Sequence, residues 1–384
     1  MLAFFAPNRF ARGLCLLCLC TIAAAYGQPA PASPAAASNE SAEPTLAQMQ
    51  QMVAAASAHG ARWSGPESGP SGRPGASIAI VAEDLHNGGI LGVAQGVKEA
   101  ANVIGWHVKV YDDGGTPAGR RDAAAAALAS KPDGLILIGA DAKAMQPLLM
   151  PFADRKIPIV GWHVAAVAGP VPDSPVAMNV STDPLDVARI TAMAAVVQSQ
   201  GHAGVVIFTD TQFGIAKAKS DAMAAVIRAC RGCTLLEVKD VAISRCAEQM
   251  PAVTQTLLAR YGSKWTHALA INDIYFDYAT PELTKAGRAS NSLSMLSAGD
   301  GSPAAFLRIR AGIFQTGTVA EPLNLHGWQL VDEMNRLLSH QPVTGYVFPV
   351  HLVTASNIAF DGGPQMRYDP DDGYRDIYRR IWKR

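Results

Sequence analysis

Ser77 to Asp113 reads SIAIVAEDLHNGGILGVAQGVKEAANVIGWHVKVYDD. Ile78, Ile80 and Val81 form an apolar run of strand length, and Glu83 to Gly89 follows as a polar loop. Ile90, Val93, Ala94, Val97, Ala101 and Ile104 then recur at helical spacing, and Trp106 to Tyr111 has the pattern of a second strand. A helix crossing between two strands predicts a parallel sheet with a right-handed connection. In such sheets ligands bind beyond the carboxyl ends of the strands. The loop carrying Glu83 and Asn87 is therefore the first candidate binding surface.

The alternation continues on both sides of one strong helix signal. Helices are expected at Arg120 to Ser130 and Ala144 to Lys156, and strands at Leu135 to Ile138, Ile157 to Trp162 and Val176 to Val180. Asp183-Pro184 supplies an N-cap followed by proline at the first helical position. Beyond it strands are predicted at Val205 to Phe208, Thr234 to Val238, His267 to Ile271 and Leu293 to Ser297. Helices are predicted at Ile215 to Arg228, Pro251 to Tyr261 and Tyr275 to Ala286. A helix Ser302 to Ala311, a strand Phe314 to Val319, a helix Pro322 to Leu338 and a strand Tyr346 to Val353 complete the pattern. The fold class is α/β, with two doubly wound, Rossmann-like lobes. Residues after Ile358 are expected to form a tail. Its Asp369, Asp371, Asp372 and Gly373 are spaced one residue short of a calcium loop and are expected to form a solvated turn.

The chain of 384 residues is long enough for two cores, and its 32 basic and 32 acidic residues give no bulk attraction to nucleic acid. Arg9 and Arg12 precede an apolar run, Gly13 to Ala25, shorter than the ~20 residues of a spanning helix. Small residues before Gln28 offer a cleavage site, so residues 1–27 are expected to be a signal peptide and the mature protein periplasmic. Residues 28–75 begin with an Ala/Pro/Ser-rich flexible leader. Thr45 to His59 then has the pattern of a short helix, and Trp63 is expected to hold the next stretch against the first lobe. In an oxidising compartment the close pair Cys230 and Cys233 is expected to form a disulfide, leaving Cys246 as a free thiol. No second cysteine or histidine pair stands at metal spacing, so neither metal nor cofactor is expected.

Seven segments now acquire a joint meaning. They are Ser77 to Gly96, KPDGLILIGADAKAM from Lys131, IPIVGWH from Ile157, NVSTDP from Asn179, ALAINDIY from Ala268, SAGDGSP from Ser297 and TVAEPLNLHG from Thr318. In order and spacing the chain resembles the ribose-type (type I) periplasmic binding proteins of sugar ABC importers over Ser77 to Val353. The resemblance implies two lobes joined by a three-crossing hinge that closes on a sugar or polyol-like ligand. The implied division is 76–180 plus 322–340 for the N-terminal lobe, 181–321 plus 341–357 for the C-terminal lobe, and 358–384 for the tail. Crossings are expected at Asn179 to Thr182, Ala320 to Pro322 and Ser339 to Thr344. It also implies that the receptor is a monomer and that its partner is a membrane permease.

On the matching motifs, Asn87, Asn272, Asp300 and Glu321 are the implied polar contacts, because amides and carboxylates suit paired hydroxyls. The sequence departs from the family where Gly88, Gly89 and Ile90 replace aromatics that sandwich ribose, and where Trp162 and His163 replace an Asp-Arg pair. Ribose is therefore not the expected ligand. Trp162, Phe213 and Tyr275 are candidate stacking walls, and His163 a candidate donor. Lys217 and Lys219 lie near the family's arginine position, so a sugar acid or phosphate stays open.

Other classes fit less well. The chain lacks GxGxxG after a strand, a Walker loop, HExxH and GxSxG, so an enzyme is not expected. A repressor of the same fold needs an N-terminal helix-turn-helix, which the Ala/Pro leader cannot supply. A receptor presenting a non-sugar ligand to a membrane sensor or chemoreceptor is the alternative output.

Overall fold

The computed structural model describes residues 44–60, 62–362 and 365–384. The expected signal peptide and the Ala/Pro part of the leader lie outside the described residues. The first described helix is α1 (Leu46–Ala56), where Thr45 and Gln48 form a reciprocal capping box.

The chain then builds β1 (Ser77–Ala82), α2 (Gly88–Ile104), β2 (His107–Asp112), α3 (Pro117–Ala129), β3 (Gly134–Ile138), α4 (Ala142–Asp154) and β4 (Ile159–Trp162). A two-residue strand, β5 (Gly169–Pro170), and β6 (Val176–Val180) finish the first sheet, whose order is β2-β1-β3-β4-β6-β5. Only β5 runs antiparallel, and β3 is buried along its whole length, as a strand covered on both faces must be. Gly105 ends α2 in the left-handed conformation that a residue without Cβ adopts freely.

Asp183 accepts from Leu185 N and Asp186 N and starts α5 (Pro184–Gln198). The second lobe follows with β7 (Gly204–Thr209), α6 (Gly214–Ala229), β8 (Thr234–Asp240), α7 (Cys246–Tyr261), β9 (His267–Ala270), α8 (Ile274–Lys285) and β10 (Ser294–Ser297). It continues through α9 (Pro303–Ala311) and β11 (Gln315–Ala320). After α10 (Leu323–Leu338) comes β12 (His351–Thr354), and the second sheet has the order β12-β11-β10-β9-β7-β8 with β12 antiparallel. The two sheets are thus built to one plan. In each, strand order reverses beside the first strand, between β1 and β3 and again between β7 and β9, which opens a crevice at their carboxyl ends.

Helix α10 returns to the first lobe and packs along α2, while β11 and β12 stay in the second sheet. The chain therefore passes between the sheets at 181–183, at 321–322 and between α10 and β12. Tyr346 to Val350 is not part of the late strand. Pro349 has no N–H to give to a ladder, and pairing begins only at His351.

The ends of the chain correct the expectation of a tail. Beyond β12 lie α11 (Ile358–Asp361) and α12 (Tyr374–Trp382). Tyr374, Tyr378, Ile381 and Trp382 recur at helical spacing, are buried in the first-lobe core, and Trp382 stacks on Trp328 at 5.4 Å. The Asp369 to Gly373 turn is held, since Asp369 accepts from Tyr374 Oη and Arg375, and Asp372 caps Tyr374 N. Burial of these aromatics outweighs the local polarity of the turn.

The N-terminal segment behaves in the same way. Met49 of α1 enters the second-lobe core. Trp63 packs on Tyr346 and Tyr378 at the first lobe, and Arg336 and Asn335 donate to the carbonyls of Ser68 and Pro70. The two end segments meet where Asp361 bonds both His59 and His351, and where Asn357 donates to Ser57 O. Two further passages between lobes result, one between Ser57 and Trp63 and one between Asp361 and Tyr374. Cys230 and Cys233 are joined by a disulfide, and Cys246 is a buried free thiol. No helix among the described residues is long and apolar enough to cross a membrane.

Candidate ligand-binding cleft

The crevice of each sheet opens toward the other, so one cleft collects the loops that follow the strands of both lobes. From the first lobe come Glu83, Asp84 and Asn87 after β1, Gly139 after β3, and Trp162 and His163 at the end of β4. From the second come Asp210, Gln212 and Phe213 after β7, Ile271 and Asn272 after β9, and Asp300 after β10. Of the ten expected contact residues, Glu83, Asn87, Trp162, His163, Phe213, Lys219, Asn272 and Asp300 line this cleft.

The lobes touch across its mouth. Asp141 Oδ2 accepts from Gly214 N at 3.2 Å, and the Arg120 guanidinium lies 5.7 Å from the Phe213 ring centre. A side chain at Gly89 would overlap the Asp300 carboxylate, so this glycine allows the lobes to approach as closely as they do.

Two of the expected contacts are placed otherwise. Tyr275 is not a wall of the cleft. Its first-turn position on α8 points into the second-lobe core, where it stacks on Phe208 at 5.8 Å and donates to Val241 O at 2.9 Å. Glu321 is fully enclosed and stands behind the cleft-lining His163, whose Nε2 donates to Glu321 Oε1 at 2.7 Å. An anionic Glu321 must accept, which assigns the His163 proton to Nε2 and leaves Nδ1 as an acceptor. His163 has a left-handed backbone, φ 55°, that folds its ring flat against Trp162 at 3.7 Å. Trp162 Nε1 in turn donates to His326 Nδ1 at 3.1 Å.

Burial pushes the His163 and His326 imidazoles below the ordinary range, His326 to about 4, so both are neutral. Burial pushes Glu321 up, yet the His163 imidazole and the Lys219 ammonium outweigh it and hold its carboxyl at about 2. Asp300 goes the other way. Burial and the Glu321 charge raise it to about 8, against the opposing pull of Lys219.

The lysines do not form an anion site. Lys219 is buried, donates to Ala298 O at 2.8 Å and lies 3.9 Å from Glu321 Oε1. Lys217 is exposed and paired with Asp221. Asn87 and Asn272 are capping residues and cleft residues at once. Asn87 Oδ1 accepts from Gly89 N, and Asn272 Oδ1 accepts from Ile274 N while its Nδ2 donates to Asp300 at 2.5 Å.

Sequence reasoning missed Arg120, Asp84, Asp210 and Gln212. Arg120 grips Glu83 through Nε and Nη2, and Asp210 accepts from Gln212 N and Ile243 N. Asp210 and Gln212 stand directly after a predicted strand, and that position was their signal. Arg120 sits in the second turn of α3 with nothing local to mark it. His163, Asp300 and Glu321 bring metal-ligand atoms within 4.8 Å of one another. Lys219 already places a positive charge 3.9 Å from Glu321, and within the trio the hydrogen bond is the one from His163 to Glu321.

The fold and the cleft define a two-lobed binding protein. The family model for the periplasmic binding protein domain matches residues 78–342, and the chain belongs to that family. Among solved structures it resembles an ABC sugar transporter subunit from Rhodobacter sphaeroides 2.4.1, with a TM-score of 0.64, 21% identity, and coverage of 74% of this chain and 99% of that one. A second is an ABC transporter solute binding protein from Agrobacterium vitis with bound allitol, with a TM-score of 0.63, 19% identity, and 74% and 97% coverage. A third is an ABC transporter solute binding protein from Mycobacterium smegmatis with bound glycerol, with a TM-score of 0.67, 18% identity, and 77% and 99% coverage. A search among curated proteins finds no significant sequence match.

Proposed function

We propose that this chain is an exported, monomeric solute receptor that captures a sugar or polyol-like ligand between its lobes and presents it to an ABC importer permease. Residues 1–27 direct export and are removed before Gln28. Asn87, Asn272, Asp300 and His163 hydrogen-bond the ligand hydroxyls. Trp162 offers an apolar edge for the C–H face, and Phe213 with Arg120 closes the mouth. Hinge closure is the whole of the work, with no chemical step. The observation that carries this reading is the convergence of strand-end amide, carboxylate and imidazole groups from both lobes on one cleft beside an indole, which is how hydroxylated rings are held.

The test is thermal unfolding of the chain from Gln28 onward against pentoses, hexoses, polyols, sugar acids and sugar phosphates. A ligand of the native state raises Tm by mass action. A neutral sugar or polyol is expected to raise it, and Asn272→Ala is expected to abolish the rise. If no hydroxylated compound raises Tm at millimolar concentration, the sugar reading fails.

A further inference from the structure

We propose that the ligand carries a protonated amine beside its hydroxyls and that Asp300 is the counter-ion for it. The proposal deepens the function above and rests on the cleft being the ligand site. Four carboxylates line the cleft, Glu83, Asp84, Asp210 and Asp300, against two cations, Arg120 and Lys219. Both cations are already committed. Arg120 is bound through two nitrogens to Glu83, and Lys219 is turned to Ala298 O with Glu321 beyond it. Glu321 lies directly behind the lining and is ionised, and Asp113 Oδ2 is buried without a donor among the described residues. A cleft lined by one sign of charge between low-dielectric walls concentrates ligands of the opposite sign.

The choice of Asp300 comes from its contrast with Asp273, a neighbouring carboxylate that is also buried. Asp273 is saturated by Ser297 Oγ, Gln315 Nε2, Gly301 N and Ser302 N. Asp300 is 3% exposed, receives one side-chain donor, Asn272 Nδ2, and has no donor on Oδ1 among the described residues. The nearest cation-type nitrogen, His163 Nδ1, is 4.0 Å away and carries no proton in the tautomer set by Glu321. The remaining groups around Asp300 are Lys219, Glu321 and Asp273, and from the first lobe the N-terminus of α2, which brings no charged side chain but the positive end of the helix dipole. A buried carboxylate with one donor is costly to leave in that state, and an ammonium group supplies both the charge and the donors. In the empty cleft burial keeps Asp300 protonated up to about pH 8, so an incoming ammonium expels that proton.

The experiment uses the chain from Gln28 onward and matched trios of one carbon skeleton: a hexitol, its 1-amino-1-deoxy derivative and the corresponding hexonic acid, repeated over the hexose and pentose series. Affinity and proton release are read by titration calorimetry at pH 6.5 in buffers of different ionisation enthalpy. The expected result is an amine at least tenfold tighter than its neutral parent, no detectable acid binding, and release of about one proton by the amine alone. Asp300→Asn is expected to bring the ratio of amine to parent affinity close to one, and the wild-type proton count decides the matter if that variant fails to fold. A neutral parent that binds as tightly as its amine, with no proton released, overturns the amine inference and leaves the sugar or polyol receptor standing. Silence from every member of every trio overturns the receptor reading as well.

Discussion

The front and the back of this molecule are packed by opposite rules. At the front, the cleft holds polar groups with few partners: among the described residues Asp300 has one side-chain donor, and Asp113 behind Glu83 has an oxygen with none. At the back, the end segments and α10 form an aromatic seam in which Trp382 stacks on Trp328 and Tyr378 while Tyr374 meets Trp328 edge-on. There Trp382 Nε1 donates to Asp332, Asn324 Nδ2 to Tyr374 Oη, and Arg375 to Glu99. The back holds stability and the front withholds it. A cleft whose polar groups were satisfied by the protein would have nothing left for a ligand.

The largest expected effect falls on the back. Trp382→Ala empties a buried indole site in the first-lobe core and should cost about 3–5 kcal/mol. Urea unfolding of the variant would measure it, and a loss below about 1 kcal/mol would show that the seam is peripheral.

Next comes the pH response of the front. Asp300 and Asp113 both rise to about 8 in the native state, through burial first and then through neighbouring carboxylates. The native protein keeps protons there that the unfolded chain gives up above about pH 4. Its stability without ligand should therefore fall as pH rises from about 4 toward 8. Glu321 works in the other direction: held at about 2, its contribution is lost as pH drops below about 4.5. Asp300→Asn should flatten the decline between pH 5 and 8, as followed by Tm. An unchanged slope would mean that Asp300 is ionised and already paired.

A smaller effect is expected from Gly89→Ala, whose methyl group meets the Asp300 carboxylate when the lobes close. Ligand affinity should drop roughly tenfold, equal to about 1.4 kcal/mol, with Tm of the free protein nearly unchanged. The smallest belongs to His59→Ala. It removes a half-exposed partner of Asp361 and should cost about 0.5–1 kcal/mol with no change in affinity.

The contrast also explains what the sequence could disclose. Strand-end residues were legible because alternation locates the ends of strands, and Asn87, Asn272 and Asp300 all follow that rule. Tyr275 follows it too, yet one helical turn rotates it into the core, and no pattern at that spacing separates an inward from an outward aromatic. Arg120 depends on an ion pair with Glu83 across 37 positions, which nothing local encodes. The C-terminal helix was hidden by composition. Asp369 to Gly373 is polar enough to suggest a solvated tail, although Tyr374, Tyr378, Ile381 and Trp382 carry a regular apolar face.

That helix has a consequence for the order in which the protein can be made. The lobe that begins at Ala76 is missing Tyr378 and Trp382 from its core until the C-terminal helix has arrived, and Gly72 N bonds Trp382 O across 310 positions. Contacts of such sequence separation must close a very long loop before they return any stability. The first lobe is therefore expected to stay loose while the rest of the chain is synthesised. It is complete only when Tyr374 to Trp382 has joined it.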